Sequence, residues 1–200
     1  SDLVYKRKLL SIAVQNYDID IAKYWLENTN ADVNLFSLKK FKSYPHYEEM
    51  TPLQFAIINE DEQMVKLLLY QSSIDINKKS QLKISYEKEK ILSEKTPLYI
   101  SVETQNSKIV NLLIERKDIN INEICIDDKD KKYEYLKATA LSKAVLIGNA
   151  EIVNLLLSKK DIDYNSIFEY KKKNDDELQE KSTFYVACEL KRKEIVSSFL

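Results

Sequence analysis

Four times along this chain apolar residues fall at positions i, i+1, i+4 and i+5: Met64-Val65 with Leu68-Leu69, Ile109-Val110 with Leu113-Ile114, Ile152-Val153 with Leu156-Leu157, and Ile195-Val196 with Phe199-Leu200. That spacing puts one apolar stripe on a helix and turns residues such as Glu62, Gln63 and Lys66 away from it. Each block begins 13 residues after a hydroxyl residue, at Thr51, Thr96, Thr139 and Ser182. A small residue stands five positions after each anchor: Ala56, Ser101, Ala144 and Ala187. Lys8 opens a weaker copy with Ala13, Ile21-Ala22 and Trp25-Leu26. The anchors step by 43, 45, 43 and 43 residues, a fixed period that marks a repeat array in which each unit stacks on its neighbours.

Each unit predicts two short helices. In Thr51-Pro52 and Thr96-Pro97 the hydroxyl can cap an orphan N–H, and proline at the first helical position forfeits no hydrogen bond. Between the two helices stand Asp18, Asp61, Asn106 or Asn149, residue types that tolerate a left-handed turn. A tetrad follows the second helix: Ala31-Asp32-Val33-Asn34, Ile74-Asp75-Ile76-Asn77, Ile119-Asn120-Ile121-Asn122 and Ile162-Asp163-Tyr164-Asn165. Alternating apolar and Asx residues suit a chain that buries one side and hydrogen-bonds its own backbone on the other.

Thr-Pro-Leu, a small residue, Ile/Val-Val-x-x-Leu-Leu and Asp-x-Asn together resemble the ankyrin repeat over almost the whole chain. The resemblance implies an all-α repeat solenoid of stacked helix–turn–helix units joined by β-hairpin loops, a role in protein–protein recognition, and no shared catalytic residues. Five units are expected, at about 5–34, 51–77, 96–122, 139–165 and 182–200, the last incomplete, in a single array spanning 1–200. Three features depart from the pattern. The histidine usual after Thr-Pro-Leu is Gln54, Tyr99, Ser142 and Tyr185. The glycine usual two residues before the threonine is Glu49, Glu94 and Lys137, and the glycine between the helices survives only as Gly148.

Ankyrin units commonly run about 33 residues, and the excess here falls in one place per unit: 35–50, 78–95, 123–138 and 166–181. Period-two alternation reads these inserts as extended hairpins. Leu82, Ile84 and Tyr86 alternate with Lys83 and Ser85, Ile124 and Ile126 flank Cys125, Tyr133 and Tyr135 flank Glu134, and Phe168 and Tyr170 flank Glu169. Charged clusters at Glu87–Lys90, Asp127–Lys132 and Lys171–Glu177 would be the tips, and without glycine for a tight turn these tips are expected to be mobile. Phe36, Phe41, Tyr44, Tyr47, Tyr86, Tyr133, Tyr135, Phe168 and Tyr170 then form either a row of partner-binding anchors or cross-strand pairs that hold the fingers together.

Composition narrows the chemistry. The chain is 44% apolar and 32% charged, enough to fill a core, and its 31 basic residues nearly cancel its 32 acidic ones, without the excess that a phosphate binder needs. No apolar run approaches a membrane span. Two distant cysteines, Cys125 and Cys188, suggest free thiols in a reducing compartment, hence an intracellular, cytoplasmic protein. Cys188 is expected in the core, and Cys125, on a hairpin strand, is the better placed for reactivity. Trp25 stands at the core position of Leu68, Leu113 and Leu156. The single histidine, His46, is expected in an exposed loop and can build neither a triad nor a multi-histidine metal site. Asp127-Asp128-Lys129-Asp130 lacks the glycine of a calcium loop, and Lys171-Lys172-Lys173 runs at once into Asp175-Asp176-Glu177. Both read as solvated tips. No cofactor is implied, and no nucleophile, base and stabiliser can be assembled into an enzyme site.

The expected function is a protein-binding scaffold that uses a concave face made of the fingers and the exposed side of the first helices. By register that side carries Phe55, Ile58, Ile100, Glu103, Lys143, Leu146, Val186 and Glu189, several of them apolar where solvent favours polar residues; the alternative for these residues is that the returning fingers cover some of them. The alternative is a structural or autoinhibitory arm of a larger protein, since Phe199 and Leu200 close the sequence without a polar capping unit. That reading expects a fragment of a longer chain, with further repeats or a dimer contact at the C-terminal end.

Overall fold

A computed structural model describes residues 2–40, 46–84, 91–127, 133–172 and 177–200. Their helices come in pairs: α1 (Asp2–Gln15) with α2 (Ile19–Asn28), α3 (Pro52–Ile58) with α4 (Glu62–Leu69), α5 (Pro97–Glu103) with α6 (Ser107–Ile114), α7 (Ala140–Ile147) with α8 (Ala150–Leu157), and α9 (Thr183–Glu189) with α10 (Lys193–Ser198). Helices this short are marginal alone, so tertiary packing must hold them. Each first helix packs on the first helix of the neighbouring unit, and each second helix on the neighbouring second helix. One continuous apolar cluster runs from Leu10 to Ile195, with Leu53, Met64, Leu98, Ile109, Leu141 and Ile152 fully buried along it. Trp25 is only half-buried, with Tyr24 edge-on to its ring at 6.0 Å. It does not take the sealed place that Leu68, Leu113 and Leu156 hold in later units.

The caps act where the sequence placed them. The Thr51, Thr96, Thr139 and Ser182 hydroxyls accept from the backbone N–H groups of Gln54, Tyr99, Ser142 and Tyr185. The turn between the helices differs by one residue from expectation. Asp18, Asp61, Asn106 and Asn149 have negative φ and cap the second helices, accepting from Ile21, Met64, Ile109 and Ile152. The left-handed position is the residue before each: Tyr17, Glu60, Gln105 and Gly148, with Lys191 in the fifth unit. A short Asx side chain satisfies an orphan N–H better than it relieves a turn, so capping took those residues.

The Asx tetrads join units. The Asn34 amide donates to the Ser73 carbonyl at 2.7 Å and its Oδ1 accepts from Asp75 N at 2.8 Å. Asn77 grips Asp118 and Asn120 in the same way, and Asn122 grips Asp161 and Asp163. Local Asx turns also form, as in Asn34 N to Asp32 Oδ1 at 2.9 Å.

The helical solenoid stands, but the all-α description does not. The inserts contribute β1 (Ser37–Lys40), β2 (His46–Met50), β3 (Ser80–Ile84), β4 (Ile91–Lys95), β5 (Cys125–Asp127), β6 (Tyr133–Ala138), β7 (Ile167–Lys172) and β8 (Gln179–Ser182). These pair in sequence order into one eight-stranded antiparallel sheet. Within a hairpin Ser80 faces Lys95, and between hairpins Tyr47 faces Lys83 and Lys137 faces Glu169. His46 starts β2 opposite Ile84 and is not in a loop.

Candidate protein-binding surface

The surface is built from hairpin strands facing first helices. Alternation along each strand sends one set of side chains inward: Ser80 and Leu82, Cys125 and Asp127, Phe168 and Tyr170 are all buried. Their partners lie on the helices. Thr96 N donates to Cys125 Sγ at 3.3 Å, and burial pushes the Cys125 thiol up from its ordinary pKa. Cys125 is therefore a sealed structural thiol, and Cys188, expected in the core, is exposed on α9.

The outward set ties strands together. Lys83 bridges Glu49 at 2.8 Å, Gln81 donates to Glu94 at 2.8 Å, and Lys137 bridges Glu169 at 2.6 Å. Glu49, Glu94 and Lys137 stand where the family pattern has glycine. The strands run through these positions, so side chains there can be used for pairing.

The histidine positions have likewise found other bonds. Gln54 Oε1 accepts from Thr51 N at 2.8 Å, while Nε2 donates to the Lys78 carbonyl at 2.7 Å, tying helix cap to hairpin. Ser142 shares a hydroxyl cluster with Thr139, Ser166 and Thr183, its bond to Thr183 being 2.7 Å. Tyr99 is fully buried, whereas Tyr185 is exposed.

At the centre of the inner face lies a charged group the sequence reading missed. Asp127, only 1% exposed, meets Lys95 Nζ at 3.0 Å and Lys143 Nζ at 3.4 Å. Glu103 meets the same ammonium groups at 3.0 and 3.2 Å. Both ammonium groups lie over the Tyr99 ring, at 5.9 and 5.5 Å. Two cations and two anions balance here, which is what permits their burial. Burial works to lower the Lys95 pKa, but Glu103 and Asp127 outweigh it and hold it above the ordinary lysine value. Burial raises the Glu103 pKa from its ordinary value, against the pull of Lys95 and Lys143. Asp127 is thus no solvated tip. A signal was present, since a lysine precedes the anchor at Lys95 and at Lys181 with a glutamate eight residues on. Lys181 bridges Glu189 at 2.7 Å in the same register.

This arrangement corrects the expected exposure of the first helices. Phe55, Ile100, Lys143 and Val186 are buried, and Ile58 and Leu146 are half-buried. Inward-facing strand residues come back over this side of the helices, a non-local contact that register alone does not reveal. Glu103 is partly covered, and Glu189 remains exposed. Among the aromatics, Phe168 and Tyr170 stack at 5.5 Å within the buried set. Phe36 lies half-buried under Lys78 Nζ at 4.5 Å, and Tyr47 is half-buried on β2. Tyr133 and Tyr135 sit on β6. Phe41, Tyr44 and Tyr86 lie outside the described residues, as do segments 87–90, 128–132 and 173–176 of the expected tips. Lys171 and Lys172 instead end β7.

Among the described residues no cluster of metal-ligating side chains occurs, and no helix is long and apolar enough to cross a membrane. A family model described as ankyrin repeats (3 copies) matches residues 10–125 and 81–167. The match leaves α9 and α10 outside it, so the fifth unit rests on the stacked helices alone. No curated protein matches the chain.

Proposed function

Because the chain belongs to the ankyrin-repeat family, whose members are protein–protein interaction modules and typically not enzymes, we propose that it is a scaffold that recognises a partner protein through its hairpin sheet and the adjoining first helices. The observation that carries this reading is the single sheet. Eight strands from four separate inserts are hydrogen-bonded side by side and clipped to the helices by Lys95–Glu103 and Lys181–Glu189. A surface already held in one shape loses little conformational freedom on binding, so more of the contact energy appears as affinity. Partner contacts are assigned to side chains that the sheet leaves accessible among the described candidates: Phe36, Tyr47, Ile58 and Leu146. Phe55, Ile100 and Lys143 support that surface from beneath. A reducing, intracellular setting fits the two unpaired thiols.

The test is affinity purification with mass spectrometry, comparing the native chain with one whose four hairpins are cut to the usual length. Circular dichroism should first confirm that the helices persist. Specific proteins should be recovered with the native chain and lost with the shortened one. Equal recovery by both would refute the role given to the hairpins.

A further inference from the structure

Between the fourth and fifth units the inner face is open. A recess of about 170 Å³ lies there, walled by Leu146 of α7, Val186 of α9, Leu190 just after that helix, and Phe168 of β7. Tyr170, Lys172 and Glu189 complete its lining. One unit earlier, the positions equivalent to Leu146, Tyr170 and Val186 are Glu103, Asp127 and Lys143, and there the charged group fills the space. Apolar residues at two of these three positions leave the later space unfilled by charge.

The recess is held in shape. Phe168 and Tyr170 stack with an interplanar angle of 29°, and the Tyr170 hydroxyl donates to Gln179 Oε1 at 2.7 Å. Glu189 is neutralised by Lys181 at 2.7 Å. Lys172 is exposed, lies 6.0 Å from the Tyr170 ring centroid and forms no ion pair among the described residues. Among the described lining residues, Lys172 is therefore the charge left over, set beside apolar walls. A cavity of about 150 Å³ lined by Leu, Ile and Phe accepts a benzene-sized group, so this one holds a single large side chain.

We propose that this recess is a socket for one leucine- to phenylalanine-sized residue of a partner protein, with aspartate or glutamate beside it in the partner's sequence. The socket rests on the protein-binding reading above and names the chemistry it selects. An apolar anchor buried in a preformed pocket is what concentrates binding energy at an interface. The Lys172 ammonium adds selection for acidic neighbours and makes association salt-dependent.

The probe is a synthetic acetyl-Asp-Asp-Leu-Asp-Asp-amide peptide, titrated into the methyl-labelled chain and followed by NMR. Two comparison peptides replace the leucine by alanine or the aspartates by lysine. The methyl signals of Leu146, Val186 and Leu190 should shift, with affinity for the first peptide about tenfold or more above either comparison. Val186→Trp should fill the socket and abolish the shifts. Lys172→Glu, on an exposed side chain, should reverse the preference towards lysine-flanked peptide and keeps the test decisive if the tryptophan variant is disturbed. Equal response to all three peptides, or shifts confined to other methyls, would overturn the socket. If proteins are still captured by the native chain and lost on hairpin shortening, that failure leaves the wider reading standing. Equal capture by the shortened chain would remove the wider reading instead.

Discussion

The side-chain amide of Asn77 donates to the backbone carbonyl of Asp118, 2.7 Å away and 41 positions further along the chain. Its Oδ1 accepts from Asn120 N, also at 2.7 Å, so one side chain holds the next unit by a donor and an acceptor. Asn34 and Asn122 repeat the grip. Neighbour contacts of this kind carry the cooperativity of a solenoid.

Asn77→Ala should therefore destabilise the array by about 1–2 kcal/mol, water replacing part of what is lost at this exposed site. Asn77→Asp keeps the acceptor and should cost less. Urea unfolding of the three proteins measures both, and equal stability of Asn77→Ala and the native chain would show the grip to be incidental.

Glu60 and Gln105 hold φ of 55° and 57°, where a side chain costs roughly 1–2 kcal/mol. Glycine relieves that cost but gains freedom in the unfolded chain, so Glu60→Gly and Gln105→Gly should each stabilise by about 0.5–1 kcal/mol. Gly148→Ala should do the opposite, because Gly148 holds a φ of 89°, which strains any side chain, and a Cβ there would also run into the Arg192 guanidinium. The Arg192 guanidinium would have to move off the Leu146 carbonyl, to which it donates at 3.0 Å. Thermal melts of the three variants decide it, and a higher melting temperature for Gly148→Ala would contradict the packing.

Removing one member of the Lys95–Glu103–Asp127–Lys143 group leaves buried charge uncompensated. Asp127→Leu alone and Lys143→Met alone should each cost about 3 kcal/mol or more. The double variant should be less destabilised than the sum, with a coupling of about 1–3 kcal/mol. Strict additivity in chemical denaturation would mean that the two residues act independently.

The pH dependence has a definite sign. Lys95 has a pKa raised above 10.5 by Glu103 and Asp127 against the opposing effect of burial. Its contribution to stability is thus complete below the ordinary lysine value and is lost as pH climbs through the raised one. The native chain should lose stability above about pH 10.5 more steeply than Lys95→Met. Parallel alkaline denaturation curves would remove the group from the account.

Cys188 is exposed and Cys125 is sealed under Thr96 with its thiolate disfavoured. A chromogenic disulfide reagent should consume one thiol rapidly in the native chain and the second only on unfolding. Cys188→Ser should abolish the fast phase. Two equivalents reacting at once under native conditions would place Cys125 elsewhere.

Local order alone was enough for much of this protein. The period of the apolar stripes, the hydroxyl caps before proline and the alternation in the inserts each depend on residues a few positions apart, and short-range geometry gives them one meaning. What lay between distant residues was settled only in three dimensions. Phe55, Ile100 and Val186 look exposed in register because the strand residues that face their helices come from other segments of the chain. Lys143 belongs to a neutral buried group only because Asp127, Glu103 and Lys95 converge on it. Cys125 and Cys188 exchange their expected places for the same reason. A side chain's environment is set by what packs against it, and in this molecule the hairpins, joined into one sheet, pack across the repeats.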